Sequence, residues 1–468
     1  MSHTITVNPV TRIEGHAKIS LDLDDGGQVL NSHLQVLEMR GFEKLLTGME
    51  LFKMPLITAR ICGVCPAAHH LAAVNAIENG LAAEIPAEAQ LLRELLYMGH
   101  VLHSHALSVF VLSGPDMLLG VGAPPADRNV FNLLRVNPEL AKKVLRLRSI
   151  GQRVVEAVGG RGVHPVTAVV GGMASRPTGE QLATMVKWGL DAMEIVDEMS
   201  AVLRDRLDKL REFRDSVRLP FHSLALSDGG SVSFLKGGLV AMNQAGAVER
   251  TFPIAGYAAH LIEHVMPGSY MKAVRLRGEE ERAFFVGPLA RLGTNSRAGA
   301  PKAQAMLDEF RAGSRRRDAA LDYVDARVVE MMLCAERIST IAGEELTGGP
   351  IYTPCEVKEG RYVGAVEAAR GVLIHDYTSD AQGRVAAVNL IVATQNNYNA
   401  IDHALKAAGQ LYLPQKDDNL LMNGLEFALR CFDPCLSCAT HAVGRMPMEV
   451  IVTRAGAPGR TITRRADR

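Results

Sequence analysis

Between Thr4 and Glu38 apolar and polar residues alternate, as in ITVNPV, HAKISLDL and SHLQVLE. A period of two puts one face of a strand in a core, and the DDGG segment at Asp24–Gly27 supplies a turn, so a β-hairpin or small meander is expected. Further along, apolar residues recur at helical spacing over Pro86–Leu112, Pro138–Val158, Thr178–Phe213 and Lys302–Ile341. Segments of that length bury their apolar stripes most readily against one another, which predicts a long-helix bundle. A glycine-rich stretch at Gly159–Met173 lies between helices. Phe221–Val286 mixes short strands with loops, and Gly371–Thr394 alternates again before two more helical segments end near Arg430. The expected class is α+β and α-rich, a helix-bundle core with small peripheral β-sheets. No repeat, low-complexity tract or long linker divides it, so residues 1–441 read as a single intertwined domain followed by a 442–468 extension.

Composition narrows the function. Lys and Arg together number 51 and Asp and Glu 51, a balance that argues against nucleic acid as a partner. An apolar fraction of 47% excludes general disorder. The Met1–Gly15 stretch has no apolar core behind a basic start, and no apolar run reaches the roughly 18 residues of a membrane span. Seven cysteines are too few for a disulfide scaffold, which points to a reducing, cytoplasmic setting.

Four of those cysteines form two CxxC pairs at opposite ends of the chain, RICGVCP at Arg60–Pro66 and DPCLSCATH at Asp433–His441. The two intervening residues turn the backbone so that both thiolates of a pair can converge on one metal. Pro66 suits the first turn of a helix, whose N-terminus favours thiolates at Cys62 and Cys65. A structural zinc site would use the same four residues, and each pair alone could be a redox dithiol. Cys334, Cys355 and Cys431 lack ligand spacing and read as core residues.

With both pairs in place, the chain resembles the large, catalytic subunit of nickel-iron hydrogenases over essentially its whole length. Five segments carry the likeness: RIEGH at Arg12–His16, MRGFE at Met39–Glu43, RICGVCPAAH at Arg60–His69, EAARG at Glu367–Gly371, and DPCLSCATH. RICGVCPAAHH and VATQNN at Val392–Asn397 look most like the cytoplasmic, bidirectional, NAD-reducing soluble branch. The resemblance implies that Cys62 and Cys435 are terminal nickel ligands, while Cys65 and Cys438 bridge to an iron that carries carbon monoxide and cyanide. It implies heterolytic cleavage of dihydrogen, with the proton passing to a terminal thiolate such as Cys435 or to Arg370 acting as a base. Arg370, next to Asp433, is expected over the open face of the metals. Ala369 stands where the family usually has proline. Thr394 is expected to contact a cyanide, Glu14 to take a proton from Cys438, and His69 to hydrogen-bond near a bridging sulfur. Glu43 and His441 resemble ligands of a hard cation, usually magnesium, and Ser104 stands where many relatives carry an aspartate. Read singly, Arg370 is a loop residue, Glu14 a strand-end carboxylate and His69 a core histidine.

The family matures by cleavage after the last motif histidine, so a cut between His441 and Ala442 is expected. The Ala442–Arg468 tail reads as a hairpin which, if retained, could pair with the N-terminal strands. It carries six arginines against Glu449 and Asp467, so its removal would leave the remainder acidic by about four charges. The chain has neither cluster-like cysteine spacing nor a GxGxxG fingerprint in strand-to-helix context. Electron relay and NAD binding are therefore expected in partners: an iron-sulfur small subunit and flavin- and NAD-binding diaphorase subunits. A maturation endopeptidase and nickel chaperones are the implied assembly partners. The competing readings are a hydrogen-sensing regulatory subunit, a zinc-stabilised structural protein, and a metal-free respiratory-complex subunit of hydrogenase descent.

Overall fold

The alternating N-terminal segment forms a three-stranded antiparallel meander of β1 (His3–Val7), β2 (Ala17–Leu23) and β3 (Val29–Val36). Asp24 closes its turn, accepting from the Gln28 amide through its side chain at 2.8 Å. The computed structural model describes residues 3–8, 10–39, 41–312, 317–440, 448–454 and 457–464.

The helical core follows the predicted stripes. Helix α1 (Pro66–Leu81) begins at Pro66, α2 (Ala87–Ala106) continues as a π-turn through Leu112, and α3 (Pro138–Gly159) starts where Asn137 caps the Leu140 amide. Helix α4 (Gly179–Lys209) starts in a capping box between Thr178 and Gln181. Helix α5 (Asp322–Thr340) packs against both α2 and α4, and α2 packs against α3. The Ala87–Leu112 run is long and apolar enough to cross a membrane, yet 83% of its most apolar window is buried in this bundle.

Two expected helices are interrupted. The Thr178–Phe213 stripe breaks at Leu210 and resumes as Arg211–Ser216. Lys302–Ile341 is two helices, Pro301–Arg311 and α5. The GSRRR segment at 313–317 offers no apolar position to continue the stripe. Beyond it Ala319 bridges Arg218, and the Asp322 carboxylate accepts the Ala319 amide at 3.0 Å where the helix resumes.

The second β-rich passage contains a strand that the alternation did not announce. It is an antiparallel sheet of β4 (Gly360–Ala368), β5 (Gly371–Ser379) and β6 (Val385–Ile391). β5 is buried on both faces, so its apolar residues run on rather than alternate. Val363, Ala365, Val372 and Ile374 pack toward the Leu224–Phe252 region, whereas Val366, Leu373 and Tyr377 pack toward the helical core. A separate four-stranded sheet is built from His222–Ser227, Gly238–Met242, Val248–Phe252 and Phe284–Phe285.

In the tail, Met448–Arg454 pairs antiparallel with Ala457–Arg464, as the hairpin reading expected. Among the described residues these strands form a sheet of their own, and the meander's edge is β1 paired to β2 alone, so the suggested pairing with the N-terminal strands is not made.

The contact between α1 and β4 sets the position of everything that follows, because α1 carries the first cysteine pair at its start. Gly364 makes it possible: a Cβ there would lie 2.3 Å from the Ala76 backbone nitrogen. Gly364→Ala is expected to force α1 off the sheet and cost about 1–3 kcal/mol. A thermal midpoint equal to that of the unaltered protein would show that the close approach is not needed.

Candidate metal centre

Cys62 follows a short 3-10 turn in extended conformation, and its sulfur accepts the amides of Val64 and Cys65 at 3.3 and 3.4 Å. Cys65 caps α1 immediately before Pro66. At the other end of the chain Cys435 caps the short helix Leu436–Ala439, which holds Cys438 on its first turn. The pairs interleave: Cys62 to Cys435 is 3.2 Å, Cys65 to Cys438 3.1 Å, Cys435 to Cys438 3.0 Å and Cys65 to Cys435 4.0 Å between sulfurs. All four lie within 4.8 Å of one another and are buried.

Four buried thiols cannot all ionise unaided. Hydrogen bonds from Cys435, Cys438 and Cys65 hold Cys62 well below the ordinary thiol range. Burial, followed by interactions with neighbouring sulfurs, pushes Cys435 and Cys438 well above it. A cation that replaces the protons removes this conflict, and sulfur donors select soft or borderline metals.

Arg370 sits in the two-residue turn between β4 and β5, where Ala368 pairs with Gly371. Its Nε donates to the Asp433 carbonyl at 2.6 Å and its Nη2 to the Asp433 carboxylate at 3.1 Å. Its Nη1 is buried with no partner among the described residues, a costly state for a charged donor unless something else accepts. An acceptor on a bound group would satisfy it. Burial disfavours the guanidinium, but Asp433 and then the thiols of Cys435, Cys65 and Cys62 outweigh it and raise its pKa well above the ordinary value. The same neighbours that fix the guanidinium favour its charged, hydrogen-bond-donating form.

The turn's alanine is held by a residue that sequence reasoning missed. Arg291, fully buried, donates to the carbonyls of Ala368 and Ala369 at 2.9 and 3.3 Å. The same guanidinium grips Glu330 through Nε and Nη2 at 2.7 and 2.8 Å, and Glu367 through Nη1 at 2.6 Å. His105 adds a 2.7 Å contact to Glu330. Burial opposes ionisation of Glu330, yet Arg291 holds it down to about 2, while burial raises Glu367 to about 7. Rigidity that a proline would give through the backbone is supplied here by hydrogen bonds.

Glu14 is also brought to the centre, with a different neighbour from the one expected. Its Oε2 lies 3.2 Å from the Cys435 sulfur and accepts the Ser437 amide at 2.9 Å, while its carbonyl accepts the Leu436 amide at 3.1 Å. Its contact is thus with Cys435 rather than Cys438. Gly15, at φ 85°, lets this strand approach: a Cβ would sit 2.8 Å from Leu436 Cβ. The preceding residues are clamped by a second charge cluster. Asp116 accepts Arg12, Arg128 and Arg430, and Glu426 accepts the Thr11 amide at 2.7 Å together with Arg128 and Arg430.

The Thr394 hydroxyl accepts the Cys435 amide at 3.0 Å and keeps its own proton to donate. His69 Nε2 lies 3.4 Å from Cys438 Sγ, and burial lowers this histidine to about 4. Ser104 is buried, its hydroxyl without a partner among the described residues. So is the Ser437 hydroxyl, which lies between the second pair of cysteines and had no sequence signal. Glu43 stands apart from the thiols, accepting the Leu390 amide at 3.0 Å, and burial raises its pKa. The neighbouring Gly41 amide reaches the Thr440 carbonyl at 3.3 Å, so the two ends expected to share a hard cation approach one another. His441 itself lies outside the described residues.

Residues 40–135 and 251–441 match the nickel-dependent hydrogenase family, and residues 4–39 match a family described as HoxL-like. The NAD-reducing hydrogenase HoxS subunit beta of Cupriavidus necator is 34% identical over 100% of each chain. Sulfhydrogenase 2 subunit alpha of Pyrococcus furiosus is 28% identical over 94% of this chain and 99% of its own. The crystal structure of an NAD+-reducing nickel-iron hydrogenase in its dihydrogen-reduced state superimposes with a TM-score of 0.90 and 33% identity, covering 94% of this chain and 99% of that one.

Arg291→Met leaves Glu330 and Glu367 facing an apolar side chain. It is expected to cost about 3–5 kcal/mol, read as a lower denaturant midpoint, and an unchanged midpoint would show the clamp to be dispensable.

Proposed function

The chain belongs to the nickel-dependent hydrogenase family as a large subunit, and we propose that it splits and forms dihydrogen at a thiolate-held nickel-iron centre. Its electrons would pass through the iron-sulfur clusters of a small partner subunit to flavin- and NAD-binding diaphorase subunits. The observation that carries this reading is the convergence of two distant CxxC pairs beneath a buried guanidinium with an unused donor. Family membership favours this reading over the zinc-stabilised structural alternative.

Cys62 and Cys435 would hold nickel, with Cys65 and Cys438 shared with an iron carrying carbon monoxide and cyanide. Bound there, the pair supplies a Lewis acid with accessible redox states. The protein's own part is electrostatic and geometric. Arg370 offers Nη1 to an acceptor on the open face, oriented by Asp433 through two contacts, so little reorganisation is needed. The Thr394 hydroxyl offers a second donor. A proton delivered to the Cys435 sulfur finds the Glu14 carboxylate already at hydrogen-bond distance, held by the Ser437 amide. Glu14 is only half-buried, so it links the enclosed sulfurs to the outer side of the N-terminal loop. Glu43 and His441 would share a magnesium or similar cation beside the C-terminal segment.

Cleavage between His441 and Ala442 by a maturation endopeptidase, after nickel delivery by chaperones, completes the reading. None of the seven cysteines is in a disulfide, and a cytoplasmic location is part of the proposal.

The assembled complex is expected to contain nickel and iron in equal amounts, to reduce NAD with dihydrogen, and to hold this chain ending at His441 by mass spectrometry. Zinc in place of both metals would end the assignment, and an intact tail in active enzyme would end the cleavage step. Glu14→Gln is expected to lower turnover by about 100-fold or more at unchanged metal content, with Glu14→Asp recovering part of it. Full activity in Glu14→Gln would remove the carboxylate from the proton's path.

A further inference from the structure

Behind the Cys438 sulfur three buried side chains stand in line. His69 Nε2 is 3.4 Å from Cys438 Sγ, His69 Nδ1 is 3.1 Å from His375 Nε2, and His375 Nδ1 is 2.6 Å from the Tyr377 hydroxyl. The three are at most 1% exposed. Two periodicities build the line. His375 and Tyr377 are two residues apart on β5 and so share the face toward α1, and His69 lies on the first turn of α1 beyond Cys65. The close seating of α1 on β4 at Gly364 brings the two elements within reach.

A neutral imidazole has one N–H and one lone pair, so two imidazoles in series form a directed chain. The two rings face each other nitrogen to nitrogen at 3.1 Å, so one of the facing nitrogens carries the proton and the other accepts it. A metal-ligating thiolate can only accept, which calls for the proton of His69 on Nε2. Its Nδ1 is then an acceptor and must be met by an N–H on Nε2 of His375. That leaves His375 Nδ1 as an acceptor, and a phenol is a donor suited to it. Each hydrogen then points toward the sulfur.

We propose that His375 and Tyr377 are positioning residues for the metal centre: they fix the tautomer of His69 so that it donates to the Cys438 sulfur and draws electron density from it. The inference rests on the assignment of Cys438 as a ligand shared with iron. A hydrogen bond to a ligating sulfur weakens that sulfur as a donor, in the way outer groups tune metal ligands generally. Its loss makes the iron richer in electrons and lowers the stretching frequency of carbon monoxide bound to it.

Infrared spectra of the assembled complex test this, with nickel and iron content measured for every variant. His69→Phe is expected to lower the carbon monoxide band and to set the full shift. Tyr377→Phe should move it in the same direction by a part of that shift. The double variant should sit where His69→Phe sits alone, because Tyr377 acts through His69. His375→Leu cuts the chain one step closer to the sulfur, should shift the band further than Tyr377→Phe, and carries the test if Tyr377→Phe fails to load metal. A band unmoved in both chain-cutting variants, or a Tyr377 shift that persists undiminished without His69, would overturn the proposal. Absence of the band from the unaltered complex would overturn the nickel-iron reading itself and the proposal with it, and the unaltered sample tells that case apart.

Discussion

Four thiols confined within 4.8 Å, out of water, set the terms for the rest of the molecule. Each wants to be a thiolate to ligate, and each thiolate makes the next harder to form. The conflict appears as one sulfur driven to ionise and others driven to hold their protons. A multivalent cation resolves it, which makes metal loading part of the stability of this region. It also explains why the two ends of the chain meet here. A site that needs charge compensation at its centre can tie together elements that no local sequence pattern joins.

Around that centre the fold spends its buried charge on backbone placement. Arg291 holds the carbonyls of Ala368 and Ala369 and thereby aims Arg370. The Asp116–Glu426 cluster holds Thr11 and Arg12 and thereby aims Glu14. Neither cluster is expected to add net stability over a well-packed apolar equivalent, since desolvation offsets most of the attraction. What they supply is direction, because a guanidinium has five donors in a fixed plane and can set two carboxylates and two carbonyls at once. The position of a donor near a reacting centre matters to fractions of an ångström, and this is a use for which an apolar core has no substitute.

The sequence was legible where function concentrates residues. The CxxC pairs, RIEGH and EAARG named the thiols, Glu14 and Arg370, and helical spacing located the bundle because its stripes are long. It was misleading where an interaction depends on how distant segments meet. Glu14 touches Cys435 rather than Cys438 because the parallel bridge between Glu14 and Cys435 sets that register, and no spacing along the chain encodes it. Arg291, Glu330 and Ser437 had no motif, being single polar residues in apolar surroundings until the fold brings them together. The missed strand β4 has its apolar residues continuous from Val363 to Ala368 apart from Gly364 and Glu367, so period two is lost as it is in other strands covered on both faces.

The replacement of proline by Ala369 shows how such readings interact. From sequence alone it marks a loop deprived of a stiff residue. In the structure the turn is enclosed on three sides: Arg291 beneath its carbonyls, Asp433 on the arginine it carries, and Gly287, where a Cβ would approach the Arg370 carbonyl to 2.6 Å. A proline would restrict one φ angle of the free chain, whereas these contacts restrict the folded turn and the side chain together. The stiffness that matters to a buried donor belongs to the side chain, so the substitution removes little that this environment does not already provide.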